Sequence, residues 1–269
     1  MSISNSSANA GGSPNMWSSA WIIISLELER AFFSRQGFIY LAAFIFIWGL
    51  LLKLGIFNEI LLSLNPMAGN QSWSSTVFSH YFRLSLYAFP LLCLLIAANQ
   101  TATDRERGTL RFLLLRCSRS HIFFARFLSQ VVIQYTLILI SLIMTLAMGS
   151  YLFGFSPQAL AHAFNAGANL WLIILPFIAL MALLSVVVKS PRQATFLAAL
   201  ICSAASLLIN VLSHYAPSLA VINFVLPGMQ FSELLGLAGA EKFPLAYIPL
   251  LQCVLLLLVG RFIMHRKSL

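Results

Sequence analysis

Six stretches of this chain are apolar for long enough to cross a lipid bilayer, approximately residues 37–56, 82–100, 127–152, 168–188, 194–212 and 246–263. A helix needs ~20 such residues to traverse ~30 Å of hydrocarbon. Inside that layer only helices and closed barrels satisfy their own backbone hydrogen bonds. The runs are continuous and do not alternate with polar residues at period two, which excludes a barrel. The expected fold is therefore all-α: a polytopic membrane protein with six transmembrane helices. Composition argues the same way. The chain is 60% hydrophobic and 9% charged, against about 45–50% and about 25% in soluble domains. A soluble helical protein of this size would lack the polar side chains to cover its surface.

Lysine and arginine orient the spans. With the N-terminus in the cytoplasm, the inner segments hold Arg30, Arg35, Arg105, Arg107, Arg111, Arg116, Arg119, Arg126, Lys189, Arg192, Arg261, Arg266 and Lys267, thirteen of the sixteen. The outer segments keep only Lys53, Arg83 and Lys242. The positive-inside rule then puts both termini in the cytoplasm of a cell (inner) membrane, as an even number of spans requires. The net charge of +9 is explained by this topology, so no nucleic-acid partner is expected.

Residues 1–16, rich in Ser, Asn, Gly and Ala, read as a flexible tail, and residues 17–269 as one six-span transmembrane domain. The tail carries no basic side chain ahead of an apolar core, unlike a usual secretory signal. "WSSAWIIISLELERAFFSRQ", residues 17–36, has apolar residues at helical spacing with Glu27, Glu29, Arg30 and Arg35 interleaved. It is read either as an amphipathic helix in the interface plane or as a charged lead-in to the first span. The longest outer loop contains "LAVINFVLPG", too short to span and interrupted at Pro227–Gly228. It fits a re-entrant segment before the last span or an interfacial loop helix.

Much chemistry is absent. The chain has no GxxxxGK[ST] phosphate loop, no HExxH and no GxSxG. Cys93, Cys117, Cys202 and Cys253 show no metal-ligand spacing and read as small apolar residues. The five histidines lie near expected span ends or in loops. No metal or cofactor is expected. Asp, Glu, Lys and Arg avoid the middle of every expected span, with Lys53, Arg83 and Arg261 close enough to the ends to snorkel. Ion-coupled transporters keep ionisable groups at mid-membrane, so a self-powered secondary transporter is disfavoured.

Against this background "TATDRERGTLRFLLLRCSRSHIFFAR", residues 101–126, stands out. It holds Asp104, Arg105, Glu106, Arg107, Arg111, Arg116, Arg119 and Arg126, eight of the 23 charged residues. Thr103 and Glu106 have capping-box spacing. Leu110, Leu113 and Leu114 share one helical face. Ser118 or Ser120 is suited to cap the helix that runs into the third span. The segment reads as a short cytoplasmic helix with one apolar and one charged face. A loop that merely fixed topology would explain the arginines, but not the two acids, the Gly-Thr break or the leucines.

"D-R-E-R-G-T-L-R-F-L-L-L-R-C-S-R", between the second and third of six spans, resembles the cytoplasmic loop of type-2 ABC transporter permeases. That family often reads E-[RK]-x-x-G-T-L, then leucines, then Ser-Arg and a span. Arg105, Gly108, Thr109, Leu110 and Ser118–Arg119 stand in matching positions, Asp104 replaces the first Glu, and the proline that often precedes Ser-Arg is missing. The short loops are similar to those of the compact branch that includes nitrous oxide reductase maturation permeases. The resemblance implies an exporter-type permease without catalytic residues, paired as a homodimer and driven by a separate ATP-binding (P-loop) subunit. It also implies that Asp104, Glu106, Arg107, Gly108, Thr109, Leu110 and Leu113 couple to that ATPase through a cytoplasmic coupling helix.

The rivals are a membrane scaffold or assembly subunit that transports nothing, and, with less support, a secondary transporter. The topology itself is testable. Single cysteines at Ser72 and Ser232 should react with an impermeant thiol reagent from outside, and one at Ser190 only from inside. Labelling of Ser72 and Ser190 positions from the same side would refute the six-span arrangement.

Overall fold

The computed structural model describes residues 16–57, 73–99, 118–188, 190–215, 227–228 and 247–266. Among the described residues there is no strand, and seven α-helices follow one another. They are α1 (Met16–Leu28), α2 (Arg35–Leu51), α3 (Trp73–Ile96), α4 (Arg119–Phe153), α5 (Pro157–Val187), α6 (Pro191–Tyr215) and α7 (Tyr247–Arg266). α1 and α2 each continue into a π-helical turn, Glu29–Phe33 and Leu52–Phe57, and α3 closes in the 3₁₀ turn Ala97–Asn99. Five segments are long and apolar enough to cross a membrane: Gly37–Leu54, Trp73–Ile96, Arg119–Phe153, Pro157–Val187 and Tyr247–Arg266. This is the pattern of a multi-pass membrane protein. α6, with 25 residues, has a length of about 37 Å. The expected tail up to residue 15 and most of the "LAVINFVLPG" stretch lie outside the described residues. Within that stretch Pro227–Gly228 forms a turn, with Gly228 at φ +91°.

Two helices begin earlier than their apolar runs. α3 starts at Trp73 and not near residue 82, and α5 at Pro157 and not near residue 168. In both cases polar residues mask the helix: Ser74, Ser75, Thr76, Ser79 and His80 in α3, and Gln158, His162, Asn165 and Asn169 in α5. Ser74 and Asn169 are nevertheless buried, so these turns pack within the bundle. One consequence corrects the reading of Arg83. It stands ten residues after Trp73, well inside α3, with its side chain exposed.

Local chemistry sets the breaks. Ser34 stops the first helical stretch: its hydroxyl donates to Arg30 O and accepts from Gly37 N at 2.9 Å, capping α2. α4 ends at Gly154, whose φ of +87° is a conformation that a residue without Cβ adopts freely. Pro157 then opens α5 in its first turn, where its missing N–H costs nothing. Ser190 and Pro191 open α6 in the same way, with Gln193 N donating to Ser190 Oγ at 3.4 Å. Connections this short force α4, α5 and α6 to run antiparallel to their neighbours.

α5 occupies the centre. It packs against α3, α4, α6 and α7, and 72% of its most apolar window is buried, against 17% for α2. A helix apolar on all sides belongs in the interior. The main core joins α5 (Leu170, Ile174, Phe177, Ile178) to an aromatic group on α2 and α3: Trp48, Phe78, Tyr81, Phe82 and Phe89. Trp48 packs edge-on to Tyr81 with ring centres 5.8 Å apart, and Phe89 lies 5.5 Å from Trp48. The outward faces of α2 and α7 are studded with exposed Phe38, Phe46, Ile47, Leu251, Leu255 and Phe262, as lipid contact demands.

Small residues let the helices approach closely. A Cβ placed on Gly260 of α7 would stand 2.7 Å from Phe123 Cζ of α4, whereas one on Gly49 would meet only Met144 Cε at 3.5 Å. Gly260→Leu should therefore wedge α7 away and cost about 1–3 kcal/mol. Gly49→Ala should be neutral or stabilise by up to about 1 kcal/mol. Thermal unfolding of the two variants in detergent checks this, and equal transitions would show that Gly260 is not a packing point.

Candidate functional site

Charge in this bundle gathers at one end. Arg119 and His121 open α4, Arg192 opens α6, and Arg261, His265 and Arg266 lie in the last two turns of α7. Contacts across the helices bring these ends together. Ser120 Oγ and His265 Nε2 are 2.8 Å apart. The Phe123 ring and the Leu183 backbone both close on Gly260. Thr195 Oγ1 of α6 donates to Leu94 O of α3 at 3.4 Å. Phe123, Ala182, Val186 and Met264 form a small separate core beneath this surface. Arg266 lies over the Phe262 ring at 4.4 Å.

The residues expected to couple to a partner, Asp104, Glu106, Arg107, Gly108, Thr109, Leu110 and Leu113, lie outside the described residues. Their flanks are described. The end of α3 and the start of α4 both reach the basic end. Of the two candidate capping serines, Ser118 performs the task, accepting from His121 N at 3.4 Å. Ser120 faces His265 instead. α4 then continues without a break for 35 residues.

The same end holds an ion pair that the linear reading left unpaired. α1 packs along the start of α4, and its Ile24 is buried. Glu27 Oε1 lies 3.5 Å from Arg126 Nη1, and the two side chains are only 19% and 7% exposed. Arg30 also approaches Glu27, at 3.8 Å, but is 71% exposed, so water screens that second pair and it adds little. Glu27 thus balances an arginine withdrawn from solvent. The two residues are almost a hundred positions apart, and no local spacing announces the pair.

A second polar feature runs up the inside of the bundle. Gln130, Gln134, Ser141 and Thr145 of α4 are all buried, at spacings that place them on one face. Ser141 Oγ meets the Tyr81 hydroxyl of α3 at 2.7 Å. Thr145 Oγ1 and Ser141 Oγ also bond carbonyls of their own helix, Ser141 O at 2.8 Å and Ile138 O at 2.7 Å. Ser85 lies close to the Tyr81 hydroxyl, but not in hydrogen-bonding geometry. A search restricted to charged residues passes over Gln130 and Gln134, although their i, i+4 spacing in "SQVVIQ" is visible. Among the described residues, no cluster of His, Cys, Asp and Glu is placed to hold a metal ion.

The arrangement is one of holding. A cationic surface is suited to anionic headgroups or an acidic partner, and a clamped helix leads from it into the bundle. Residues 39–269 match the family described as "Protein of unknown function (DUF2705)". The match begins inside α2, so Glu27 precedes it and Arg126 falls within it. No curated protein matches the chain.

The ion pair makes a direct prediction. Removing one member of a buried pair leaves the other charge uncompensated, typically at a cost of roughly 3–5 kcal/mol. Because Glu27 is partly exposed, Glu27→Gln should fall at the low end of that range. The double variant Glu27→Gln/Arg126→Leu should recover much of the loss. Thermal or denaturant unfolding of the two singles and the double gives the coupling energy, and additive effects would show that the pair contributes nothing.

Proposed function

The chain belongs to this DUF2705 family; from its charged segment and the helices on either side of it we propose that it is the membrane-spanning permease subunit of an ATP-driven exporter of the type-2 ABC class. Its ATP-binding subunit is a separate chain, and two permease chains pair as a homodimer in the cell membrane. The observation that carries this reading is the segment "DRERGTLRFLLLRCSR" between α3 and α4. A partner gripping it would act directly on α4, which starts at Arg119 and runs unbroken to Phe153.

Further features support the assignment. In this reading α6, 25 residues long, is the sixth span and completes an even number. α1, the flanks of the charged segment and the end of α7 share the basic end, as expected if both termini and the docking loop face the cytoplasm. α1 exposes Trp21, Ile22 and Leu26, apolar side chains suited to the membrane interface beside that loop. In this reading the chain is a transport subunit with no ATPase site of its own. Glu106 and Arg107 provide charged contacts to the partner, Leu110 and Leu113 the apolar anchor, and Gly108–Thr109 the bend between them. The alternative, a scaffold or assembly subunit, would dock the same ATPase without any cargo-dependent hydrolysis.

Affinity purification from the native membrane should recover a P-loop protein in roughly equal amount. Recovery of the chain alone would count against the proposal. Glu106→Ala should weaken that association by about 2–5 kcal/mol, the cost of truncating a buried charged contact. Leu113→Asp should remove an anchor worth roughly 1.5–3 kcal/mol. Both variants should insert and dimerise normally while losing coupled ATP hydrolysis. Wild-type pull-down and hydrolysis in both would reduce the segment to an ordinary positive-inside loop.

A further inference from the structure

Halfway along the bundle, three helices bury polar groups that none of the described residues satisfies. They are Trp48 Nε1 on α2, Ser85 Oγ on α3, and Gln130 Oε1 and both amide atoms of Gln134 on α4, all without a hydrogen-bond partner among the described residues. Trp48 is 2% exposed, Ser85 and Gln134 0%, and Gln130 5%. Buried polar atoms are rarely left alone, because each has given up its bonds to water.

Helix geometry places these groups in one layer. The Tyr81–Ser141 contact at 2.7 Å registers α3 against the antiparallel α4. Gln134 lies two turns from Ser141 on the same face, about 10 Å along the axis, and Ser85 lies one turn from Tyr81 in the same direction, about 6 Å. The two therefore differ in height by about 4–5 Å, within reach of a glutamine side chain. Trp48 packs against both Tyr81 and Phe89, which brackets the level of Ser85. Gln130 is one turn beyond Gln134. The arginine of α3 at this level, Arg83, two residues from Ser85, has its side chain exposed, away from these buried groups; Arg126 is one turn beyond Gln130 and engaged with Glu27.

The donor and acceptor inventory defines the occupant. The indole offers one donor, the Gln134 amide two donors and an acceptor, Gln130 an acceptor, and Ser85 one of each. A neutral molecule that both donates and accepts within a few ångströms completes this set, whereas an ion would find no opposing charge. We infer that α2, α3 and α4 enclose ordered water at mid-bundle, held by Trp48, Ser85 and Gln134 with Gln130 at its edge. Water bound in this way makes about three hydrogen bonds to groups that would otherwise be unsatisfied. The line Arg126, Ser129, Gln130, Gln134 along α4, buried throughout, connects the layer to the basic end and supplies its route of entry. This inference does not depend on the transport assignment.

Millisecond X-ray radiolysis in ¹⁸O-labelled water tests it, because bound water activated in place oxidises the side chains it touches. The full chain in lipid nanodiscs should take up ¹⁸O at Trp48, although its ring is sealed from bulk solvent. Gln134→Leu and the milder Ser85→Ala should each reduce that uptake severalfold, with labelling of the exposed Trp21 unchanged as the sign of an intact fold. Ser85→Ala keeps the test decisive if Gln134→Leu does not fold. An unlabelled Trp48 in the native chain, or equal labelling in native chain and folded variant, would overturn the inference.

Discussion

Inside a hydrocarbon layer a backbone N–H or C=O has no water to turn to, and every feature of this protein answers that constraint. The chain crosses as helices, which close their own hydrogen bonds. Its internal prolines, Pro90 in α3 and Pro176 in α5, are both buried, where neighbouring helices cover the carbonyls they release. Seryl and threonyl hydroxyls bond back to carbonyls of the preceding turn, as Thr136 does to Val132 O at 2.8 Å. Helix association then relies on shape. Gly149 lies against the Trp73 ring and Gly167 against Leu142, and the central position of α5 follows from the apolar surface that its residues 170–187 present on nearly every side.

The fold class was legible because the signal for a membrane helix is its length and continuity, and both survive without knowledge of neighbours. The starts of α3 and α5 were harder to see. Hydropathy registers Ser74, Ser75, Gln158 and His162 as loop-like, yet once helix packs on helix a polar residue there costs little. The Ser156–Pro157 step was a readable helix start that the apolar run overshadowed. At the charged segment, the sequence offers two capping serines, and the bond from His121 N to Ser118 together with the contact of Ser120 with His265 separates their roles.

Glu27 with Arg126, and Gln134 with its neighbours, show what a linear reading lacks. Both depend on the register of helices distant in sequence, and register is set by packing volumes that no short motif encodes. The two features also solve opposite problems. The ion pair brings a full charge out of water near the end of the bundle, and the opposing carboxylate makes that tolerable. The amides lie deeper, buried, while the arginine at their level, Arg83, keeps its side chain exposed. A polar residue within such a bundle is best understood by asking what neutralises or hydrates it, before asking what it might bind.

The length of α4 has a mechanical consequence. Its 35 residues extend about 52 Å along the axis, well beyond a hydrocarbon layer of about 30 Å. Even a tilt of about 40° would bring only about 40 Å of it within that layer, so at least one end projects into the headgroups or past them. Such a rod is a lever whose fulcrum lies among its packing partners. A rocking of about 5° about its midpoint displaces each end by about 2 Å, as much as many helix shifts at subunit interfaces. The Glu27 clamp sits about 10 Å from the Arg119 end and so about 15 Å from the midpoint, a little over half of the half-length. A force applied there acts with a little over half the torque available at the tip, and α1 must travel with whatever moves α4.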